Sequence, residues 1–484
     1  MTFEQPPRPR WGLRIALAAG CALVLALGVV TVSWAFSECG SGTSRVGNEC
    51  VGVTFGDEVF SPELADVERR IRDENAQVED DPYVVTVAVL MPMTAEEGDS
   101  LSIKQIQAYL EGAHVAQLNA NAEEPGLKIR LALANEGSYE RSWDDVTNRL
   151  INMVESDQLV AVTGLGLSSP ETVYGASKLA AAGIPMVGYL SADRFNSLPN
   201  EYGPKIAGLT RVSPSLKQEL STVAEHLDQV VEDPRAMLVR DDNPNDYYTD
   251  DLRRNFEELF REEWERTGRS DPPYTGGRNR FGVSTQFGYI ADRLCGEDDA
   301  TKAANVVLYA GRSNLLGEFV DQVRKRSCNN KTPITIITGS ESTDLSLPRE
   351  PGDGPVSVVY ASAADPAALG SPDNPQRSQF TGFESRLKNL FGTKTDVSNW
   401  SVMGHDATFT ATLAAQRAVK NEEEKVPTAE GVRANLYLLN SVPGASGTFQ
   451  IDGRSGDRVD EDIPVLRRIG NGEAEVVRTG TEPG

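Results

Sequence analysis

Histidine is almost missing from this chain, three residues in 484, and with it most of the ordinary material for general-base and metal chemistry. His114 and His226 fall inside helix-like segments, and neither an H-E-x-x-H pair nor a G-x-S-x-G elbow occurs. A hydrolase therefore has no visible nucleophile and base. Cysteine is sparse too, five residues without a C-x-x-C pair, which leaves zinc and thioredoxin-like sites unsupported. Positive charge is short as well: 47 Lys and Arg against 71 Asp and Glu give a formal net charge of −24. Nucleic-acid binding draws on clustered cations, so DNA and RNA are set aside as partners. No G-K-[ST] run supplies a phosphate-binding lysine.

Long apolar runs are also scarce, with one exception. Ile15 to Phe36, IALAAGCALVLALGVVTVSWAF, carries no charge over 22 residues, enough at about 1.5 Å per residue for a hydrocarbon core of roughly 30 Å. Arg8, Arg10 and Arg14 precede it and Glu38, Glu49 and Asp57 follow. Residues 1–14 are therefore expected as a cytoplasmic tail, 15–36 as a transmembrane helix and the rest as extracytoplasmic, at the cell membrane. Two other readings of this stretch stay open, a lipoprotein box at Ala18–Cys21 and a cleaved signal ending near Ala35 and Ser37. Outside the cell the four remaining cysteines should be oxidised. Of three possible pairings, Cys39 with Cys50 and Cys295 with Cys328 are expected.

Residues 37–82 read as a membrane-proximal segment with a docking helix, in which Leu64, Val67 and Ile71 recur at spacings of three and four. From Tyr83 the chain alternates. PYVVTVAVLMP, LKIRLALA, LVAVTG and IPMVGYL are buried-strand patterns, separated by helical stretches. AMLVRDD, VVLYAG, ITIITG and VSVVYAS repeat the scheme further on. The expected class is α/β: two Rossmann-like lobes with parallel sheets joined by several crossings. The boundaries are 83–212 for the first part of lobe I, 213–362 for lobe II, 363–442 for the return to lobe I, and 443–484 for C-terminal strands of lobe II and the tail.

The order of these segments resembles the type I periplasmic binding fold, in particular extracellular receptors similar to the leucine/isoleucine/valine-binding proteins of ABC importers. The likeness is carried by VAVLMPMT, EGAHVAQLN, VAVTGLGLSS leading to IPMVGYLSA, LTRVSPS, GHDATFTATLAAQRA and GASGTFQIDGRSGD, across about residues 83–479. It implies a binding protein rather than an enzyme, with no cofactor, closing on a small polar, amino-acid-like ligand and working with an ABC permease or another membrane partner. A sensing ectodomain with a separate signalling partner and a ligand-free scaffold are the alternatives.

TGLGLSS, at a strand-to-helix turn, is the focus of the site. Gly164-x-Gly166-x-x-Ser169 lacks the third glycine of a dinucleotide loop. Ser168 and Glu171 have capping-box spacing and Pro170 suits a first helical turn. Amides at a helix start, with a spare serine hydroxyl, can also take a carboxylate. The resemblance assigns that role to Ser168 or Ser169 and to the turn Tyr189–Leu190–Ser191. It sets Leu216 and Lys217 where the family has an acid for the ligand's ammonium. It matches Glu341 to a ligand-facing acid, and puts Arg312 in place of an aromatic residue, suggesting an additional anionic group on the ligand. Tyr247 is a candidate stacking face. His405 stands where the family usually has Tyr. Asp241-x-Asn243-x-Asn245 begins like a calcium loop, but Asp246 replaces its glycine, and it reads as a polar turn.

Overall fold

Alternation within a strand decides how each sheet is sandwiched. The computed structural model describes residues 39–478 apart from 97, 124–125, 197, 199–204, 269–270, 278–279, 296–302, 328–331, 345–355, 420–425, 460–462 and 470–473. In β3 (Val84–Met91), Val85, Val87, Val89 and Met91 enter one core while Ala88 and Leu90 enter another. Successive side chains point to opposite faces, so an all-apolar strand is one covered on both sides.

Lobe I is a seven-stranded sheet in the order β1-β2-β4-β3-β5-β6-β7. Its parallel part is β3, β4 (Lys128–Asn135), β5 (Leu159–Gly164), β6 (Met186–Gly188) and β7 (Leu209–Arg211). The hairpin β1 (Thr43–Val46) and β2 (Glu49–Thr54) extends it antiparallel to β4. Helices α1 (Ala65–Val78), α2 (Ile103–Asn121), α3 (Trp143–Ser156) and α4 (Pro170–Ala181) cover it. Lobe II begins with α5 (Leu216–Glu225), β8 (Ala236–Asp241), α6 (Tyr247–Leu259) and β9 (Pro273–Tyr274). It continues through α7 (Val283–Arg293), β10 (Val306–Ala310), α8 (Ser313–Arg324), β11 (Ile334–Ile337) and β12 (Val356–Ala361). The chain returns to lobe I with α9 (Arg377–Phe391), α10 (Asn399–Ala418) and α11 (Ala429–Leu436). A small sheet of β13 (Val442–Gly444), β14 (Gly447–Ile451) and β15 (Arg458–Val459) follows, and then β16 (Val465–Ile469) and β17 (Glu475–Arg478). The last two close the lobe II sheet, β17-β16-β12-β11-β10-β8-β9, with the same antiparallel edge as lobe I.

Two segment boundaries differ from the sequence reading. Residues 37–82 were expected to stand apart as a membrane-proximal piece; from Cys39 they are built into lobe I. Leu64, Val67 and Ile71 join its core, and Asn75 bonds both the N–H and C=O of Leu131 at 2.9 Å. Residues 443–459, expected with lobe II, pack on lobe I, because Ala445, Phe449 and Ile451 bury against α10 and its neighbours. The Cys39–Cys50 bridge is present and staples the start of the β1–β2 hairpin. Cys295 is disulfide-bonded, while Cys328, its expected partner, lies outside the described residues, as does the segment 15–36. Among the described residues no helix is long and apolar enough to cross a membrane.

Helices α2 and α10 approach backbone to backbone: a Cβ on Gly112 would strike the Ser401 carbonyl, and one on Gly404 the Tyr109 carbonyl. That contact seats the returning segment in lobe I. The chain crosses between lobes after β7, after β12 and after β15, and a buried polar knot ties two of these crossings together. Asp406 accepts the Ala445 and Ser446 N–H groups (2.6 and 3.0 Å) and the Ser446 hydroxyl. Arg458 donates to the Val212 carbonyl (2.9 Å) and to Ser446 Oγ (2.7 Å), and its guanidinium lies over the Phe449 ring.

Burial pushes the Asp406 carboxyl up, but hydrogen bonds from His405 and Ser446 and the charge of Arg458 hold it below the usual aspartate range. Its stabilising effect is therefore present above that range and lost as pH falls through the folded-state value. Asp406→Ala leaves two buried N–H groups without acceptors, and should lower the free energy of unfolding by about 3–5 kcal/mol, measured by urea denaturation at neutral pH. A loss below about 1 kcal/mol would contradict the role given to this knot.

Candidate functional site

The carboxyl ends of both parallel sheets face each other, which is where open α/β sheets place ligands. The loops after β5, β6, β10 and β11 meet there with the start of α10. Ser168, Tyr189, Ser191, Arg312, Glu341 and Trp400 line one cavity, together with Gly166, Leu167 and Leu190. The cavity measures ≈ 20 Å³, about the room of one or two water molecules. It is narrow because the lobes touch: the Tyr247 N–H donates to the Ser168 carbonyl (3.1 Å), Arg280 to the Gly98 carbonyl (3.1 Å) and Asn314 to the Asp99 carbonyl (3.2 Å).

The glycines of TGLGLSS have a local explanation. Gly164, Leu165 and Gly166 all adopt positive φ (90°, 69° and 59°), and a Cβ on Gly166 would come within 2.7 Å of Glu140 Oε1. Glycine here admits a carboxylate of the same chain. Glu140 accepts the Leu167 N–H (3.1 Å), the Thr172 hydroxyl (2.7 Å) and the Ser169 hydroxyl. Ser169, not Ser168, caps α4, accepting the Thr172 N–H at 3.0 Å. The register shifts by one from the capping-box reading because Pro170 takes the first helical position, which makes the residue before it the cap. Ser168 is thereby released to the cavity wall.

Arg312 and Glu341, expected to face a ligand separately, are bound to each other. Arg312 also makes a two-pronged pair with Asp246 (2.7 and 2.9 Å) and lies over the Tyr248 ring. Three of the five guanidinium N–H groups are engaged in these bonds, and two remain. Burial opposes its charge, yet Asp246 and Glu341 hold it firmly protonated. Burial raises the Glu341 carboxyl above its usual range despite Arg312.

Tyr189 and Ser191 line the cavity. The Tyr189 hydroxyl accepts from Asn399 (2.8 Å), and its ring meets Trp400 edge-on at 4.8 Å. Ser169 and Tyr247 do not line the cavity. The Tyr247 ring is covered by the Arg194 guanidinium at 3.9 Å, so its stacking face is already occupied. Arg194 in turn bridges the lobes to Asp250 (2.8 Å) and fully buried Asp251 (2.6 Å). Asp241 accepts the Asn243 and Gly276 N–H groups (3.0 and 2.9 Å) as a polar turn. Among the described residues no cluster of three metal-ligating side chains exists.

Sequence reasoning missed four members of this constellation. Asp246 caps α6, accepting the Thr249 N–H at 3.2 Å, and anchors Arg312; its signal was the N-P-N-D turn before a helix. Trp400 contributes an indole Nε1 that is buried without a partner among the described residues. Glu140 and Arg194 had no sequence signal, since their partners lie 27 and 57 residues away.

Two α/β lobes with parallel sheets and a threefold crossing define the type I periplasmic binding fold. Solved structures bear this out. An ABC transporter substrate-binding protein from Desulfitobacterium hafniense in complex with Leu superposes with a TM-score of 0.57 at 16% identity, over 81% of this chain and 99% of that one. An extracellular ligand-binding receptor from Rhodopseudomonas palustris HaA2 gives 0.60 at 15% identity, over 81% and 99%. An R. palustris ABC transporter solute-binding protein in complex with 4-hydroxybenzoate gives 0.56 at 15%, over 83% and 98%. No family model and no curated protein matches the chain. At these identities the likeness establishes the fold.

Arg312→Met strands two buried carboxylates and should cost about 3–5 kcal/mol of stability. Arg312→Met with Asp246→Leu and Glu341→Gln should recover part of it, since no buried carboxylate of the network is then left without its cation. Urea denaturation of both variants decides, and equal losses in the two would remove the network described here. Lobe II has its own buried acid: Glu219 accepts the Ser340 N–H (3.2 Å), and burial raises it to about 8. A carboxyl raised above its unfolded value of about 4.3 stabilises below that value and loses the effect as pH rises through about 8. Glu219→Gln should therefore flatten the fall in melting temperature between pH 5 and 8; an unchanged slope would contradict the assignment.

Proposed function

We propose that this chain is an extracytoplasmic solute-binding protein whose lobes close on a small ligand bearing a carboxylate, delivering it to an ABC-type membrane partner. The observation that carries the reading is the chemistry of the cavity between the lobes. Ser168, Ser191, Trp400 and Arg312 line one space, and the Trp400 indole N–H is buried without a partner among the described residues. Three kinds of donor side chain around one cavity, hydroxyl, indole and guanidinium, suit an acceptor-rich group such as a carboxylate. The carboxylate half of an amino-acid-like ligand is the half that this geometry supports; Glu341, the acid available for an ammonium, is already bridged by Arg312. A ligand as large as leucine or 4-hydroxybenzoate needs the lobes to part before they close on it, the hinge motion typical of two-lobed binders.

The fold neighbours include proteins described as complexes with Leu, isoleucine, benzoate and 4-hydroxybenzoate, which supports a small carboxylate without choosing among them. The apolar run 15–36 supports attachment to the membrane, and the Cys39–Cys50 bridge just beyond it suits the oxidising side.

A thermal-shift and calorimetric panel on the full-length chain tests this, with leucine, isoleucine, benzoate and 4-hydroxybenzoate set against glucose and spermidine. At least one carboxylate should raise the melting temperature, and Ser168→Ala or Ser191→Ala should weaken its binding about tenfold. Stabilisation by glucose or spermidine alone, or by nothing, would overturn the reading. Membrane fractions should retain the chain at high salt; a mature protein beginning near Glu38 would remove the anchor.

A further inference from the structure

We infer that the cleft loop 164–169 is positioned by two carboxylates holding one proton between them, Glu136 and Glu140, so that a ligand carboxylate reaching Ser168 binds together with a proton. This rests on the solute-binding reading above and gives it a second, protonic ligand.

The turn after β4 is wound to bring both acids beneath the loop. Tyr139 and Glu140 both take φ of 56°, a left-handed backbone that side-chain-bearing residues seldom adopt. Glu136 and Glu140 are 2% and 1% exposed. Glu140 holds the Leu167 N–H, Ser169 and Thr172 as described, whereas Glu136 Oε1 is buried with no partner among the described residues. The Oε1 atoms of both lie within 4 Å of the point where a Cβ on Gly166 would stand. The cavity wall and the two acids thus meet at one glycine.

The charged and titratable groups around this turn offer no compensation. From β2, Glu49 accepts the Ser138 N–H (2.7 Å); from the loop after β3, Asp99 accepts the Ser138 hydroxyl (2.9 Å). Glu171 repels the pair from α4, and Tyr109 is buried on α2. Arg141 on the same turn is half exposed, 3.9 Å from Glu96 and over the Tyr139 ring. Two buried carboxylates this close, with no cation between them among the described residues, do not both ionise. Burial and mutual repulsion push Glu136 well above the usual range, and burial brings Glu140 to about 7 against its three hydrogen bonds.

Ser168 follows the residue whose N–H Glu140 holds, so a ligand carboxylate there brings a second negative charge beside the one the pair keeps. A second proton on the pair cancels that repulsion. Binding then takes up a proton wherever the pair is partly ionised, and affinity falls as pH rises through about 7, by up to tenfold per pH unit.

Calorimetry of the full-length chain with leucine and with 4-hydroxybenzoate, at pH 6 and pH 8 and in two buffers of different ionisation enthalpy, tests this. Expected are binding about tenfold weaker at pH 8 and net uptake of up to about one proton per ligand bound. Glu140→Gln should remove both effects. Glu136→Gln, which leaves the three hydrogen bonds of Glu140 in place, should diminish them as well and guards against a misfolded first variant. Binding of either compound without pH dependence or proton uptake would overturn this inference and leave the solute-binding reading intact. Absence of binding by the whole carboxylate panel would overturn both.

Discussion

Helix N-termini and strand-end amides from two sheets converge on a single seam, and each needs an acceptor where little water reaches. The chain answers with its own carboxylates. Glu140 serves the start of α4, Asp246 the start of α6, Asp193 the Lys217 N–H at the start of α5, and Glu219 the Ser340 N–H beside Glu341. These acids fill positions that a ligand's carboxylate could otherwise take, and they leave a narrow cavity whose wall includes Ser168, Ser191 and Arg312. TGLGLSS is shaped by the same constraint: its glycines make room for Glu140, and its last serine caps the helix.

The same acids also tie the lobes together. Arg194 of lobe I reaches Asp250 and Asp251 of α6, and Asp193 accepts from Asn255 of that helix at 2.6 Å. Parting the lobes at the cavity requires the Tyr247 N–H to leave the Ser168 carbonyl. Arg312, by contrast, pairs among the described residues with acids of its own lobe. On the function proposed above, a ligand entering an opened seam would meet Arg312 already oriented by Asp246. The polar knot of Asp406, Ser446 and Arg458 supplies the rigid side of the hinge, because it fixes the small β13–β15 sheet to α10 and to the first crossing.

The fold was largely legible because parallel strands buried on both faces read as apolar runs, and these alternate with helical spacing from residue 83 onward. The β1–β2 hairpin was not, since TSRV is largely exposed and polar and shows no strand period. Within the candidate site, Ser168, Tyr189, Ser191, Arg312 and Glu341, each picked by chain order, line one cavity. Pairings were not. That Arg312 is bound by Asp246, 66 residues away, or that Glu140 lies beneath Gly166, depends on how loops from different strands meet. The cap at Ser169 was missed for a smaller reason, the one-residue shift that Pro170 imposes.

Hydrogen–deuterium exchange on the full-length chain, with and without the carboxylate that stabilises it, tests the central claim most directly. Slower exchange confined to 164–169, 189–191, 311–313 and 339–341, on both sides of the seam at once, is the expected result. Protection of one lobe alone, or of surfaces away from the seam, would contradict closure of the two lobes on a solute held between Ser168 and Arg312.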